Sequence, residues 1–321
     1  STSSNCSVSG RTGRTWAASG LRETEAGMEL RGLQRGDRDA VLDLWNRAVQ
    51  FDALAAAVFE EKTWGDPDFD PDLAVVAVDD GDVAGFAVGV VRGEAGRGYV
   101  KLLAVDPERQ REGIGTALLE VIERRLARNG ARTIRLLESA PNYLVPGIDT
   151  RYEASLAFSA AMGYRQVGEA QNLSVDLSQR IAPRAVPDGV EVRRAVPEDE
   201  MALTAFLGLH WPAWKAEAGV ASRNDPSTLH LALRDGHVVG FAAWDANNRG
   251  TGWFGPMGVA PEARGEGLGC VLLQRCLDDM RGQGHDAAVI AWVDNAPFYA
   301  RCAGAVPSRT FHRFEKSLHE D

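Results

Sequence analysis

The sequence predicts an α/β protein made of two tandem copies of one fold, and three observations predict it. The chain has 321 residues, and at about 150 residues per domain that is the length of two domains. Landmarks in the first half recur in the second at an offset of 154 or 155 residues. Around those landmarks, extended and helical patterns follow one another in the same order in both halves.

Each copy opens on a strand, Glu29 to Leu33 and Val190 to Arg194, that leads into a helix near an acidic cap at Asp37 and at Pro197 to Asp199. A hairpin follows. Val75 to Asp80, then Gly81, then Val83 to Ala87 reads as apolar run, Asp-Gly turn, apolar run, and Leu231 to Gly236 with Val238 to Ala242 repeats it. Val105-Asp106-Pro107-Glu108 is answered by Val259-Ala260-Pro261-Glu262, and Gly113-Ile114-Gly115 by Gly267-Leu268-Gly269. The next helix puts Leu118, Leu119, Ile122 and Leu126 on one face; its counterpart puts Leu272, Leu273, Cys276 and Met280 there. Gly130 and Gly284 end these helices, and buried strands are expected at Thr133 to Leu137 and Ala287 to Trp292. Pro183 and Pro187 break the polar stretch Ser178 to Gly189, which divides the chain into residues 28–180 and 189–321 with a linker over 181–188. Residues 1–27, rich in Ser, Thr, Gly and Arg, read as a disordered extension. They carry no apolar core for a secretory signal, and Glu23 and Glu25 argue against a transit peptide.

Composition narrows the function. Hydrophobic residues at 45% and charged residues at 25% exclude a wholly disordered chain or a fibrous repeat. The 45 acidic residues outweigh 35 basic ones, a net charge of -10 that repels phosphate backbones and excludes nucleic acid as an expected partner. No run approaches the ~18 apolar residues of a membrane span, so a soluble, cytoplasmic protein with no membrane partner is expected. Cys6, Cys270, Cys276 and Cys302 form no CxxC pair and no zinc-type spacing with histidine, so no metal is expected. Cys270 and Cys276 stand about 240° apart round one helix and cannot bridge, and buried free thiols are expected.

The glycine turn carries the chemistry. Gln110-Arg111-Glu112-Gly113-Ile114-Gly115 and Arg264-Gly265-Glu266-Gly267-Leu268-Gly269 both fit [QR]xxGxG, each after a strand and at the opening of a helix. Glycine lets an anion reach the backbone, and the unpaired N–H groups at the helix start point at it, aided by the helix dipole. This is a pyrophosphate cradle. A dinucleotide fingerprint is disfavoured because the turn lies mid-domain and lacks the third glycine, and a P-loop because neither copy has the lysine.

With these residues the chain from Met28 to Leu318 resembles the GNAT superfamily of acyl-CoA-dependent N-acyltransferases, in tandem. The resemblance implies, in each copy, a central mixed, mostly antiparallel sheet flanked by helices, with acetyl-CoA as co-substrate. It implies that the strands Leu103-Ala104-Val105 and Met257-Gly258-Val259 hold the pantetheine arm. The loops Gln110, Arg111, Gly113, Ile114, Gly115, Thr116 and Arg264, Gly265, Glu266, Gly267, Leu268, Gly269, Cys270, together with Asn295, would hold the rest of CoA. The family often uses a tyrosine near the start of the last helix to protonate the departing thiolate. Pro297-Phe298-Tyr299 matches, whereas Leu156-Ala157-Phe158-Ser159 sets Ser159 there, and all six histidines fall in the second half. A catalytic C-terminal copy is therefore expected, with Tyr299 as acid and the amide of Val259 as oxyanion donor. Asp245, Glu217 and His210 stand as candidate bases, unranked.

Gly255 to Val259, Cys276 to Met280, Ala291-Trp292-Val293 and Tyr143 to Asp149 resemble tandem members that acetylate glucosamine or glucosaminides, which implies an amino-sugar acceptor. Trp211, Trp214, Trp244 and Trp253 would suit stacking on sugar faces. Mycothiol-synthase-like and aminoglycoside-type N-acetyltransferases remain alternatives, as does a CoA-binding regulatory module without turnover. The expected partner is a small-molecule amine, and the expected state a monomer or homodimer.

Overall fold

Asp80-Gly81 and Asp235-Gly236 close the two expected hairpins with both central residues at positive φ: 49° and 93° in the first, 50° and 78° in the second. That is the turn whose twist matches paired strands, and it explains why Asp-Gly recurs there. The computed structural model describes residues 28–93 and 96–318; the extension expected over residues 1–27 lies outside the described residues.

The first copy comprises β1 (Glu29–Gly32), α1 (Arg38–Ala48), α2 (Ala56–Lys62), β2 (Ala74–Asp79), β3 (Asp82–Arg92), β4 (Arg97–Val105), α3 (Ile114–Arg128), β5 (Thr133–Leu136), β6 (Ile148–Asp149), α4 (Glu153–Ala161) and β7 (Arg165–Asp176). The second comprises β8 (Val190–Arg194), α5 (Glu200–His210), α6 (Lys215–Arg223), β9 (Leu229–Arg234), β10 (His237–Trp244), β11 (Trp253–Val259), α7 (Leu268–Gly282), β12 (Ala287–Ile290), α8 (Ala296–Ala303) and β13 (Val306–Ser317). The predicted apolar stripes of α3 and α7 are the buried ones. Arg31 and Arg193 each clamp the acidic residue that starts the next helix, Asp37 and Asp199, through two hydrogen bonds of 2.6–2.8 Å, a repeat that the spacing did not disclose.

The strands form one continuous sheet in the order β1-β2-β3-β4-β5-β13-β7-β12-β11-β10-β9-β8, with β6 set against β13. It is mixed and mostly antiparallel; β4–β5 and β11–β12 are parallel. The last strands are exchanged. β7 of the first copy pairs with β12 of the second, β13 of the second pairs with β5 of the first, and the two run antiparallel to each other at the centre. Each half has helices on both faces: α3 over one and α1 and α2 over the other in the first, α7 and α8 over one and α5 and α6 over the other in the second.

The expectation of free thiols is corrected at one pair. Cys270, in the first turn of α7, is joined to Cys302 on α8, while Cys276 stays a buried free thiol. Helical spacing excluded only Cys270 with Cys276; α7 and α8 pack side by side and bring together residues 32 apart in sequence. Closing a loop of that length stabilises the fold by about 3–4 kcal/mol through the unfolded state, so reducing the bond will lower the Tm, measurable by calorimetry with and without reductant. No helix among the described residues is long and apolar enough to cross a membrane.

Candidate active site

A bulge at the same place in each copy opens the sheet. Between β3 and β4 the register slips at Lys101, and between β10 and β11 it slips around Gly255-Pro256. Beyond it the parallel partner strand ends: β11 meets β12 only at Trp253 and Phe254, and β4 meets β5 only as far as Val100. Ala260 donates to Val239 across β10–β11, and Gly258 stands two residues before it, opposite Phe241. Antiparallel alternation therefore turns the N–H groups of Met257 and Val259 away from β10, into the wedge left by β12. Asp106 donates to Ala84 in the same way, so the N–H groups of Leu103 and Val105 face the first wedge. These are free strand amides where a pantetheine arm or an oxyanion could be held.

The glycine loops follow at once. Gly113 and Gly267 stand at the N-caps of α3 and α7 with φ of 86° and 89°, and an added Cβ would meet nothing within 4 Å at either. Two positions earlier, Arg111 (φ 71°) in the first loop adopts the left-handed form that Gly265 (φ 85°) adopts in the second. The first residue of the motif straps loop to strand: Arg264 donates to the carbonyl of Val259 at 3.1 Å, and Gln110 to that of Val105 at 3.5 Å. Glu266 is ion-paired with Arg234 on the β9–β10 hairpin. The loops thus fit a pyrophosphate through their backbone, with open space over the glycines. Phe158 lies 3.5 Å from the Cβ position of Gly115 and Phe298 lies 3.1 Å from that of Gly269, which superposes the role of α4 on that of α8. Asn295 caps α8, its side-chain oxygen accepting from Phe298 N at 3.3 Å. Cys270 is tied into its disulfide.

The residues after those phenylalanines differ in chemistry. Tyr299 is half-buried, edge-on to Phe298 and Phe254 at 5.0 and 6.4 Å. Burial, with the negative Asp294 nearby, pushes its phenol up to about 12, so it is a proton donor at neutral pH. Ser159 is buried and gives its hydroxyl to the carbonyl of Ser155 on its own helix, at 2.8 Å.

The three candidate bases separate. Glu217 on α6 faces the first copy: its carboxylate lies in the field of Lys62 and, more weakly, of Arg92. Burial outweighs both and pushes the carboxyl up to about 7. Asp245 adopts φ of 54° and accepts from Gly250 N at 2.5 Å, bracing the loop after β10. His210 ends α5 with its ring against Phe206 and Trp211 at 4.8 and 5.3 Å.

The four tryptophans do not form one platform. Trp211 stacks on Trp214 at 5.4 Å and lies so close to β11 that a Cβ on Gly258 would meet its ring at 2.5 Å. Trp253 meets Tyr143 edge-on at 5.7 Å. Trp244 is buried on the opposite face of β10, in the core under α7, because side chains alternate along a strand. Sequence reasoning named Tyr143 and Trp292 only within resembling segments and missed Lys62, whose charge acts on Glu217. Tyr143 also packs edge-on to Trp292 at 5.5 Å. Among the described residues no group of three or more His, Cys, Asp or Glu could hold a metal ion.

A backbone anion cradle beside a splayed strand, present in both copies, defines the acyltransferase class. Residues 38–144 and 194–304 match the model of the Acetyltransferase (GNAT) family, and the chain belongs to that family. It is 31% identical over 235 residues to a mycothiol acetyltransferase of Thermomonospora curvata, covering 70% of this chain and 74% of that one. Among solved structures, the glucosamine N-acetyltransferase region of a fungal multi-domain GH3 β-N-acetylglucosaminidase matches with a TM-score of 0.76 at 20% identity, over 91% of this chain and 38% of that one. A tandem GNAT protein from the clavulanic acid biosynthesis pathway matches with a TM-score of 0.68 at 20% identity, over 92% and 99%.

Proposed function

We propose that the protein moves the acetyl group of acetyl-CoA to the primary amine of a small molecule, an amino sugar such as glucosamine or a glucosaminide, by direct attack in a ternary complex. The asymmetry of the copies carries this reading: Tyr299 and Glu217 belong to the second copy, whereas the first offers Ser159 and Glu61. Glu61 is committed elsewhere, its two oxygens accepting from the amides of Asn248 and Arg249 at 2.9 and 3.0 Å.

In the reaction the amine nitrogen, neutral when it attacks, bonds to the thioester carbon. Glu217 takes its proton directly or through water, the amide of Val259 steadies the oxyanion, and the C–S bond breaks as Tyr299 gives its proton to the CoA sulfur. Asp245 and His210, engaged in a loop and in an aromatic cluster, are assigned no proton. The name of the relative, mycothiol acetyltransferase, supports acetyl transfer to a small molecule.

The test is CoA thiol release from acetyl-CoA with glucosamine, a cysteinyl-glucosaminyl-inositol and an aminoglycoside panel. Acetylation of glucosamine or a glucosaminide is the expected result; binding of acetyl-CoA with no thiol release on any amine would mean a regulatory module instead. Gly267→Trp, which fills the second cradle, is expected to abolish turnover, and Gly113→Trp to spare most of it. The reverse pattern would move the active site to the first copy. A confirmed activity that survives Tyr299→Phe unchanged removes Tyr299 from the acid role.

A further inference from the structure

Tyr143 belongs to the loop after β5 in the first copy, yet its ring packs on two rings of the second. It meets Trp253 edge-on at 5.7 Å and Trp292 edge-on at 5.5 Å. Those tryptophans stand where the second wedge begins: β11 and β12 pair last at Phe254 and Ile290, one residue after Trp253 and two before Trp292. The loop is fastened from the second copy, because Asn247 donates to the carbonyl of Tyr143 at 2.9 Å and Asn248 to that of Leu144 at 3.0 Å. Lys62 ties the same frame, donating to Asn142 Oδ1 at 2.7 Å and to Asn247 Oδ1. Tyr143 and Trp253 are only 9% and 7% exposed, and a phenol or indole so buried ordinarily has a partner for its polar hydrogen. Among the described residues neither the Tyr143 hydroxyl nor the Trp253 Nε1–H has one, and neither atom is sealed from solvent. Trp244 is the contrast: its Nε1 also lacks a partner, but it is shut in the core under α7. The wedge mouth thus holds two fixed donors that only water or a ligand can satisfy.

We propose that Tyr143 and Trp253 form the specificity subsite of the second copy and donate to hydroxyl oxygens of an amine whose other groups are uncharged, so that the first copy supplies part of the acceptor pocket. The proposal rests on the reading of the second wedge as an amino-sugar acetyltransferase site. The cations around this loop and Trp292 are engaged: Lys62 by Glu61, Arg92 and Lys101 by Asp66, and Arg313, over Trp292 at 4.9 Å, by Glu138. That leaves the two neutral donors, which suit hydroxyls, and no spare charge there for a phosphate or carboxylate. Burial, with the negative Glu217 nearby, holds the Tyr143 phenol far above its ordinary value, so it stays a donor. A desolvated donor that loses its acceptor costs more than the bond itself contributes, and a site built this way rejects an analogue lacking the hydroxyl.

The experiment is a cycle between the protein and its acceptor. Wild type and Tyr143→Phe are compared on glucosamine, its 1-, 3-, 4- and 6-deoxy derivatives and glucosamine 6-phosphate. Binding is measured by calorimetry with CoA present, and turnover by thiol release. Tyr143→Phe is expected to weaken glucosamine binding about tenfold, to raise KM more than it lowers kcat, and to leave the Kd for acetyl-CoA unchanged. One deoxy derivative should bind wild type about tenfold more weakly than glucosamine does and lose nothing further in Tyr143→Phe. If Tyr143→Phe does not fold, Trp253→Phe carries the same test. An equal loss on glucosamine and on every deoxy derivative means that the ring acts by packing alone and overturns the proposal. So does no loss on glucosamine, or no binding of any of these sugars. Tighter binding of glucosamine 6-phosphate than of glucosamine overturns the uncharged class. Coupled binding in a protein that acetylates none of the sugars would uphold the subsite and sink the proposed reaction instead.

Discussion

Replacing Glu217 with glutamine will lower kcat/KM for the amine acceptor by about 10²- to 10⁴-fold, the usual loss on removing a general base. Glutamine keeps the shape without an ionisable carboxyl, so the change isolates the proton-accepting role. The pH profile is the more telling measurement. A base works only when deprotonated, and burial holds the Glu217 carboxyl at about 7. Wild-type kcat/KM will therefore rise as pH climbs through 7 and level off above it. Glu217→Gln will lose that limb. The Tyr299 phenol, at about 12, adds no falling limb in the ordinary range. Equal profiles for Glu217→Gln and wild type, beside a loss in Asp245→Asn or His210→Ala, would reassign the base.

Arg309→Leu will destabilise the protein by about 3 kcal/mol or more, the cost of leaving buried charge uncompensated. Arg309 lies on β13, the exchanged strand, and bridges Asp52 at 2.6 and 2.9 Å and Asp149 at 2.6 Å, both buried carboxylates of the first copy. Tyr152 extends the network, its hydroxyl donating to Asp52 at 2.9 Å and accepting from Phe51 N at 2.7 Å. Burial alone would raise the Asp149 pKa, but the hydrogen bonds from Arg151 and Arg309 prevail and bring it to about 2. A folded-state pKa below the unfolded ~3.9 contributes stability that is present above pH 4 and lost as pH falls toward 2. Denaturant midpoints should show the gap between wild type and Arg309→Leu large at pH 7 and shrinking below pH 4. A constant gap would mean that the guanidinium acts by packing alone.

The two predictions differ in how far the sequence foretold them. Glu217 was visible as one of three acidic or imidazole candidates, and nothing local ranked it. Its rank comes from burial within the field of Lys62 of the other copy. Trp244 shows the converse: grouped with three other tryptophans by composition, it is directed to the far face of the sheet by strand alternation. By contrast, the two glycine turns lie within a few residues of sequence and form the N-caps of α3 and α7.

What the sequence determined alone was local and repeated. The Asp-Gly turns, the apolar stripes of α3 and α7 and the [QR]xxGxG loops each lie within a few residues, where φ preference, helical period and N–H geometry leave few alternatives. Their recurrence declared the duplication. Only the tertiary structure decided how the copies join. The exchanged strands, the Cys270–Cys302 pair, the Lys62–Asn142–Asn247 frame and the Arg309 bridge unite residues 32 to 257 apart. Those pairings are chosen by burial and by the need of each buried charge for a partner. No local spacing records that choice, because it is made only when the two copies close on each other.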